Sequence, residues 1–143
     1  MRSEMSTIVV GVDRSPHALV AARKAADLAK ALGAELHIVT AVMKNEFHDL
    51  GIGSDRTVMS DVDLAEQDLR SIAAEFRSSL TVSTSAVRSD PAEALCSEAT
   101  RLHASMIVIG NKRVQGVARV LGSIAGAVAK EAPCDVYIVH TYD

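Results

Sequence analysis

A chain of 143 residues, 48% of them apolar and 23% charged, has the size and balance of one globular domain, long enough to bury a core without disulfides or metal. Aromatic residues make up only 3%, which excludes the base-stacking modules that read nucleic acid through exposed rings. A net charge of −3 gives the chain as a whole no electrostatic match to DNA or to an anionic membrane.

The elements alternate. "STIVVGVD" (6–13) is a nearly continuous β-branched run and reads as a buried strand. "SPHALVAARKAADLAKALG" (15–33) reads as a helix, with Ser15 as N-cap, Pro16 in the first helical position and Gly33 as its stop. "AELHIVTAV" (34–42) is a second strand. Residues 43–60, with Gly51 and Gly53, read as the longest irregular stretch. A helix is expected over about 61–77, because Val62, Ala65, Leu69, Ile72 and Phe76 fall on one helical face.

"LTVSTSAV" (80–87) is a third strand, its serines and threonines suited to a sheet edge. "DPAEALCSEATRLH" (90–103) is a helix opened by Asp90, Pro91 and Glu93 in a capping-box-like start. "SMIVIG" (105–110) is a fourth strand. "SIAGAVAKEA" (123–132) is a helix, and "CDVYIVH" (134–140) a fifth strand.

Strands alternating with helices imply an α/β fold, a single doubly wound domain over residues 1–143 with a parallel sheet and helices on both faces. The first and fourth strands are apolar throughout and belong in the centre, which gives the five-stranded order 3-2-1-4-5. That order puts the topological switch point between the first and fourth strands, where open α/β sheets hold ligands. The loops "DRSP" (13–16) and "GNKRVQGVARVLGS" (110–123) face that crevice.

The second loop has an anionic partner's chemistry. No acidic residue occurs from Ala99 to Lys130, while Lys112, Arg113, Arg119 and Lys130 fall in that span. Gly110 and Gly116 are suited to positive φ and close backbone approach, and Gly122-Ser123 opens a helix whose free N–H groups attract anions. On these features alone the loop is equally a phosphate cradle or a solvated connector. It is neither a P-loop nor a dinucleotide fingerprint, since both G-K-[ST] and G-x-G-x-x-G are missing.

Asp13 at the end of the first strand suits an adenine amine, a ribose hydroxyl or a metal, or equally a structural turn. His17 lies near the crevice. His37, His48, His103 and His140 have no metal-ligand spacing. Cys96 and Cys134 show no zinc or redox pattern and read as small buried hydrophobes. No reaction centre is legible, so turnover is not expected beyond slow ATP hydrolysis. "MRSEMS" carries no signal pattern and no apolar run reaches bilayer length, so a cytoplasmic location is expected.

"IVVGVDRS" at the start, "IVIGNKRVQG…LGS" late and "APCDVYIVHT" at the end together resemble the universal stress protein family, over essentially the whole chain. The resemblance implies an adenine-nucleotide-binding α/β domain that takes ATP, AMP or cyclic AMP, with Mg2+ accompanying ATP. It implies a role in stress response and regulation, and a cytoplasmic homodimer formed through the last strand, Asp135 to His140. It also implies a second possibility, a member that binds no nucleotide and works through its dimer and protein partners.

The family's nucleotide binders carry G-x2-G-x9-G-[ST] in the late loop. Gly110 matches the first glycine and Gly122-Ser123 the final pair. Arg113 stands where the second glycine belongs, with eight residues rather than nine between it and Gly122, and Gly116 is placed to compensate. Asp13 matches the aspartate that meets adenine, and Val42 the position whose backbone contacts the base. Arg14 replaces the glycine of the usual D-G-S. The expected nucleotide site is therefore Asp13, Arg14, Ser15, Val42, Gly110, Asn111, Lys112, Arg113, Gly116, Arg119, Gly122, Ser123 and Ile124. The departures imply an altered phosphate preference, with a mono- or cyclic phosphate among the expected ligands beside ATP.

Overall fold

A computed structural model describes residues 6–111 and 122–141. In chain order the elements are β1 (Thr7–Gly11), α1 (Ala18–Leu32), β2 (Glu35–Ala41), β3 (Phe47–Leu50), β4 (Thr57–Ser60) and α2 (Asp61–Ala74). They continue with β5 (Val82–Val87), α3 (Pro91–Arg101), β6 (Met106–Asn111), α4 (Ser123–Glu131) and β7 (Asp135–His140). The main sheet is five-stranded in the order β5-β2-β1-β6-β7, and every pairing in it is parallel. This is the expected 3-2-1-4-5 order.

Ile8, Val9 and Val10 of β1 are fully buried, as a central strand covered on both faces requires. The pleat divides them. Ile8 and Val10 join Leu36, Ile38 and Val108 under α1 and α2. Val9 joins Val39, Ile107 and Ile109 under α3 and α4. α1 lays an alanine face on the sheet, Ala18, Ala21, Ala22, Ala25, Ala26 and Ala29, so helix and strands approach closely at little side-chain entropy cost. Gly33 ends it in the left-handed conformation, φ 65°, with its N–H on the Ala29 carbonyl.

Three expectations are corrected. Residues 43–60 are not irregular throughout: β3 and β4 form an antiparallel hairpin, Phe47 opposite Ser60 and Leu50 opposite Thr57. The glycines that mark the stretch make its turn, with φ of 93° at Gly51 and 62° at Gly53. α1 does not begin at Ser15-Pro16. It begins at Ala18, with His17 as an N-cap that makes no side-chain capping bond. Residues 15–18 form a tighter turn instead, with the Ala18 N–H on the Ser15 carbonyl at 3.1 Å, and the Asp13 carboxylate accepts the Ser15 N–H at 2.8 Å. Cys96 and Cys134 are half-buried rather than core residues.

The other caps follow the sequence. Asp90 accepts the Glu93 N–H at 3.0 Å to open α3. Ser60 and Asp63 exchange side-chain and backbone bonds in a full capping box at the start of α2. Of the expected apolar stripe on that helix, Ala65, Leu69 and Phe76 are buried, while Val62 and Ile72 lie at its margin. Among the described residues no helix is long and apolar enough to cross a membrane.

Candidate functional site

A crevice of about 330 Å³ opens where β1 and β6 end, at the switch point. That is the small end of the usual range for ligand pockets. Its floor is apolar and mostly small: Ala18, Ala21, Val39, Ala65, Ala94, Leu95 and Ile109. Such a floor takes a flat ring and offers it no hydrogen bond. Among the described residues, polar side chains join the lining from Asp13, Arg14, Ser15, Lys44 and Asp61, and they can orient a ligand by its edges.

On the β1 side the chain runs off the strand through Val12, whose N–H still bonds the Val39 carbonyl at 2.9 Å. The Thr40 hydroxyl donates to the Val12 carbonyl at 2.8 Å. These bonds hold Asp13 at the mouth. One carboxylate oxygen of Asp13 is turned inward to the Ser15 N–H. Ser15 lines the crevice, and its side-chain oxygen has almost no exposure and no hydrogen-bond partner among the described residues. A buried hydroxyl without a partner costs about 1–3 kcal/mol. Val42 lines the crevice too. Its N–H is taken by the Val87 carbonyl at 2.8 Å, so the backbone group it can turn to a ligand is its carbonyl.

On the β6 side Gly110 lines the crevice, and one of its two expected freedoms is not used. It has no positive φ. A side chain there would put Cβ 2.7 Å from Thr141 Cγ2, so the glycine makes room for β6 to sit beside the end of the last strand. Asn111 is buried, and its side-chain oxygen accepts the Gly122 N–H at 2.8 Å. It thereby ties the end of β6 to the start of α4 across the loop. A Cβ on Gly122 would lie 3.3 Å from that oxygen. Gly122 is the N-cap of α4, Ser123 its first residue, and Ile124 reaches the crevice wall. The first N–H groups of a helix lack partners within it and form the positive end of its dipole.

Of the thirteen expected site residues, Asp13, Arg14, Ser15, Val42, Gly110 and Ile124 line the crevice. Asn111, Gly122 and Ser123 stand beside it at the α4 start. Lys112, Arg113, Gly116 and Arg119 lie outside the described residues.

The structure adds Lys44, Asp61 and Thr141 to the lining, and places His17 there as well. Asp61 accepts the Glu46 N–H at 2.9 Å and meets His48 Nε2 at 2.7 Å. The Glu46 N–H first, and His48 second, hold its carboxyl below the ordinary range. It is thus an ionised latch between the hairpin and α2, set at the crevice rim. Arg14 lies 3.4 Å from Asp68 of α2, with both side chains more than half exposed, a pair loose enough to release the guanidinium to a ligand. Asp61 and Lys44 carried no sequence signal beyond position: one begins a helix and the other follows a strand by three residues.

A family model described as the universal stress protein family matches residues 5–140. A universal stress protein solved in complex with cAMP is 28% identical, over 97% of this chain and 99% of its own, with a TM-score of 0.72. One from Archaeoglobus fulgidus in complex with dAMP is 25% identical over 94% of this chain and 97% of its own, with a TM-score of 0.67. A further Archaeoglobus fulgidus universal stress protein shares the fold at 24% identity and a TM-score of 0.69, over 93% of this chain and 92% of its own. No curated protein matches at a significant level.

Proposed function

This chain belongs to the universal stress protein family, and on that premise we propose that it binds an adenine nucleotide in the crevice between β1 and β6. The observation that carries the proposal is the crevice itself: an apolar floor, a carboxylate and an unpartnered hydroxyl at one rim, and a helix N-terminus at the other. The adenine lies on Ala18, Val39 and Leu95. Its amino group donates to the Asp13 carboxylate or the Val42 carbonyl, and the ribose meets Ser15. The phosphate takes the N–H groups that open α4, with Arg14 and Lys44 neutralising charge. A mono- or cyclic phosphate fits this arrangement best, and two relatives bound to cAMP and dAMP support that choice. ATP with Mg2+ is the larger alternative.

The protein then acts as a nucleotide-responsive regulator in stress response in the cytoplasm, as a homodimer through β7. That strand supports the pairing: it is an edge of the sheet, with Asp135, Tyr137 and His140 exposed. Arg113, standing in the place of a family glycine, favours a second function, in which the chain works through protein partners without nucleotide. Calorimetric titration with cyclic AMP, AMP and ATP, the last with and without Mg2+, separates the two. Binding of at least one is expected, and absence of heat with all of them overturns the nucleotide proposal.

A further inference from the structure

The face of the sheet under α3 carries a polar cluster whose residues lie outside the crevice lining. His37 of β2 is 2% exposed. Its Nδ1 lies 2.6 Å from the Ser83 hydroxyl on the neighbouring strand β5, and its Nε2 lies 2.9 Å from Glu98 Oε1 on α3. The Ser85 hydroxyl is 3.0 Å from the same Nε2. Arg101 grips Glu98 with two bonds, 2.9 Å to Oε2 and 2.8 Å to Oε1.

The hydrogen-bond chemistry assigns the protons. Glu98 is held at a pKa of about 2, first by the Arg101 guanidinium, so it is ionised and can only accept. Nε2 of His37 must therefore carry the proton and donate it to Glu98. Burial lowers the histidine pKa, so near neutral pH the ring is neutral and Nδ1 is a bare acceptor. Ser83 then donates its O–H to Nδ1. Ser83 is exposed, because β5 is an edge strand that α3 does not cover. A serine on a histidine whose other nitrogen is fixed by a carboxylate is the arrangement of an activated nucleophile.

The edge supplies a donor as well. Leu36 N–H bonds the Thr81 carbonyl and Val42 N–H the Val87 carbonyl, so the odd-numbered residues of β5 turn their backbone toward β2. Thr84, next after Ser83, turns its N–H to the outer edge, where charge develops on an attacked carbonyl.

We propose that Ser83 is a nucleophilic serine, served by His37 as general base and by Glu98 as positioning residue, and that it takes an acyl group from small activated donors such as aryl esters or acyl phosphates. Ser83 Oγ attacks the acyl carbon while its proton passes to His37 Nδ1. The bond from the acyl carbon to the leaving oxygen breaks, and the leaving group departs with that electron pair. The proton moves from Nδ1 to the departing oxygen or to water, which restores neutral His37 and leaves an ester on Ser83.

The test uses the full chain with p-nitrophenyl acetate, followed by mass spectrometry with fragmentation that separates Ser83 from Ser78, Ser79 and Ser85. Exposed Ser71 and Ser105 in the same chain are internal references. Ser83 should acetylate about 100-fold faster than either reference, the usual contribution of a positioned base. Glu98→Gln, which no longer dictates the histidine tautomer, should slow Ser83 at least about 10-fold while Ser71 and Ser105 keep their rates. His37→Gln should do the same. Acetylation of Ser83 at the rate of the references, or a Ser83 rate indifferent to Glu98→Gln, overturns the proposal. If neither variant folds, the ratio within the native chain decides alone.

Discussion

The crevice above β1 and β6 and the cluster around His37 are both polar inclusions in an apolar sheet, and they are finished in opposite ways. In the cluster every group meets another from the same chain: Ser83 and Ser85 with His37, His37 with Glu98, Glu98 with Arg101. In the crevice Ser15 holds a buried oxygen with no partner among the described residues, and the backbone groups that open α4 stand at the other rim. Polar groups that satisfy one another stabilise the fold and fix a tautomer. Polar groups left waiting make a ligand site at some expense to the empty protein.

Substitutions break the contrast in order of size. Glu98→Ala strands the buried His37, while the exposed Arg101 turns to water, and should cost about 2–4 kcal/mol in a urea melt. The same carboxylate sets the acid limb of stability. Its folded pKa of about 2 lies below the ordinary value of 4.5, so its contribution is complete above pH 4.5 and is lost as the pH falls toward 2. The buried His37, with its pKa lowered, adds a loss that begins as the pH falls below 6.5. Glu98→Gln should flatten the curve between pH 4.5 and 2 by up to about 3 kcal/mol, measured as unfolding free energy against pH.

On the crevice side, Asp13→Ala should weaken cyclic AMP or AMP binding about 10- to 100-fold, roughly 1.4–2.7 kcal/mol by calorimetry. Gly110→Ala should cost about 1–2 kcal/mol through the clash with Thr141, and Thr141→Ala should restore most of it in the double variant. Unchanged stability in the single variant would show that the strand ends have slack. Ser15→Ala should produce the smallest change and the most telling sign. Removing an unpartnered buried hydroxyl should leave the empty protein as stable or up to about 1 kcal/mol more so, while nucleotide affinity falls a few-fold.

Much of this is legible in the chain, for identifiable reasons. β-branched runs mark β1 and β6 as central, and a Ser/Thr-rich run marks β5 as an edge, because burial on two faces or one imposes those compositions. The Asp90 cap and the Gly33 stop are contacts within a few residues. Where a local signal misleads, another local contact wins: Ser15-Pro16 looks like a helix start, yet the Ser15 carbonyl takes the Ala18 N–H in a tighter turn. Gly51 and Gly53 mark an irregular stretch in the pattern, and their left-handed conformations close a hairpin. Gly110 falls in a phosphate-loop pattern, and its lack of a side chain serves a neighbour that arrives from the last strand.

The sequence by itself determined the alternation of elements, the sheet order and the place of the crevice, because periodicity, capping and strand composition are written in neighbouring residues. Only the tertiary structure decided which polar groups meet. His37 finds Ser83 at 46 positions' distance and Glu98 at 61, across a parallel sheet and a crossing helix. Asp61 reaches the crevice rim through a hairpin folded back on α2. Such partnerships depend on strand order and register together, and no local pattern encodes them, because each residue's own neighbours in sequence take no part in the contact.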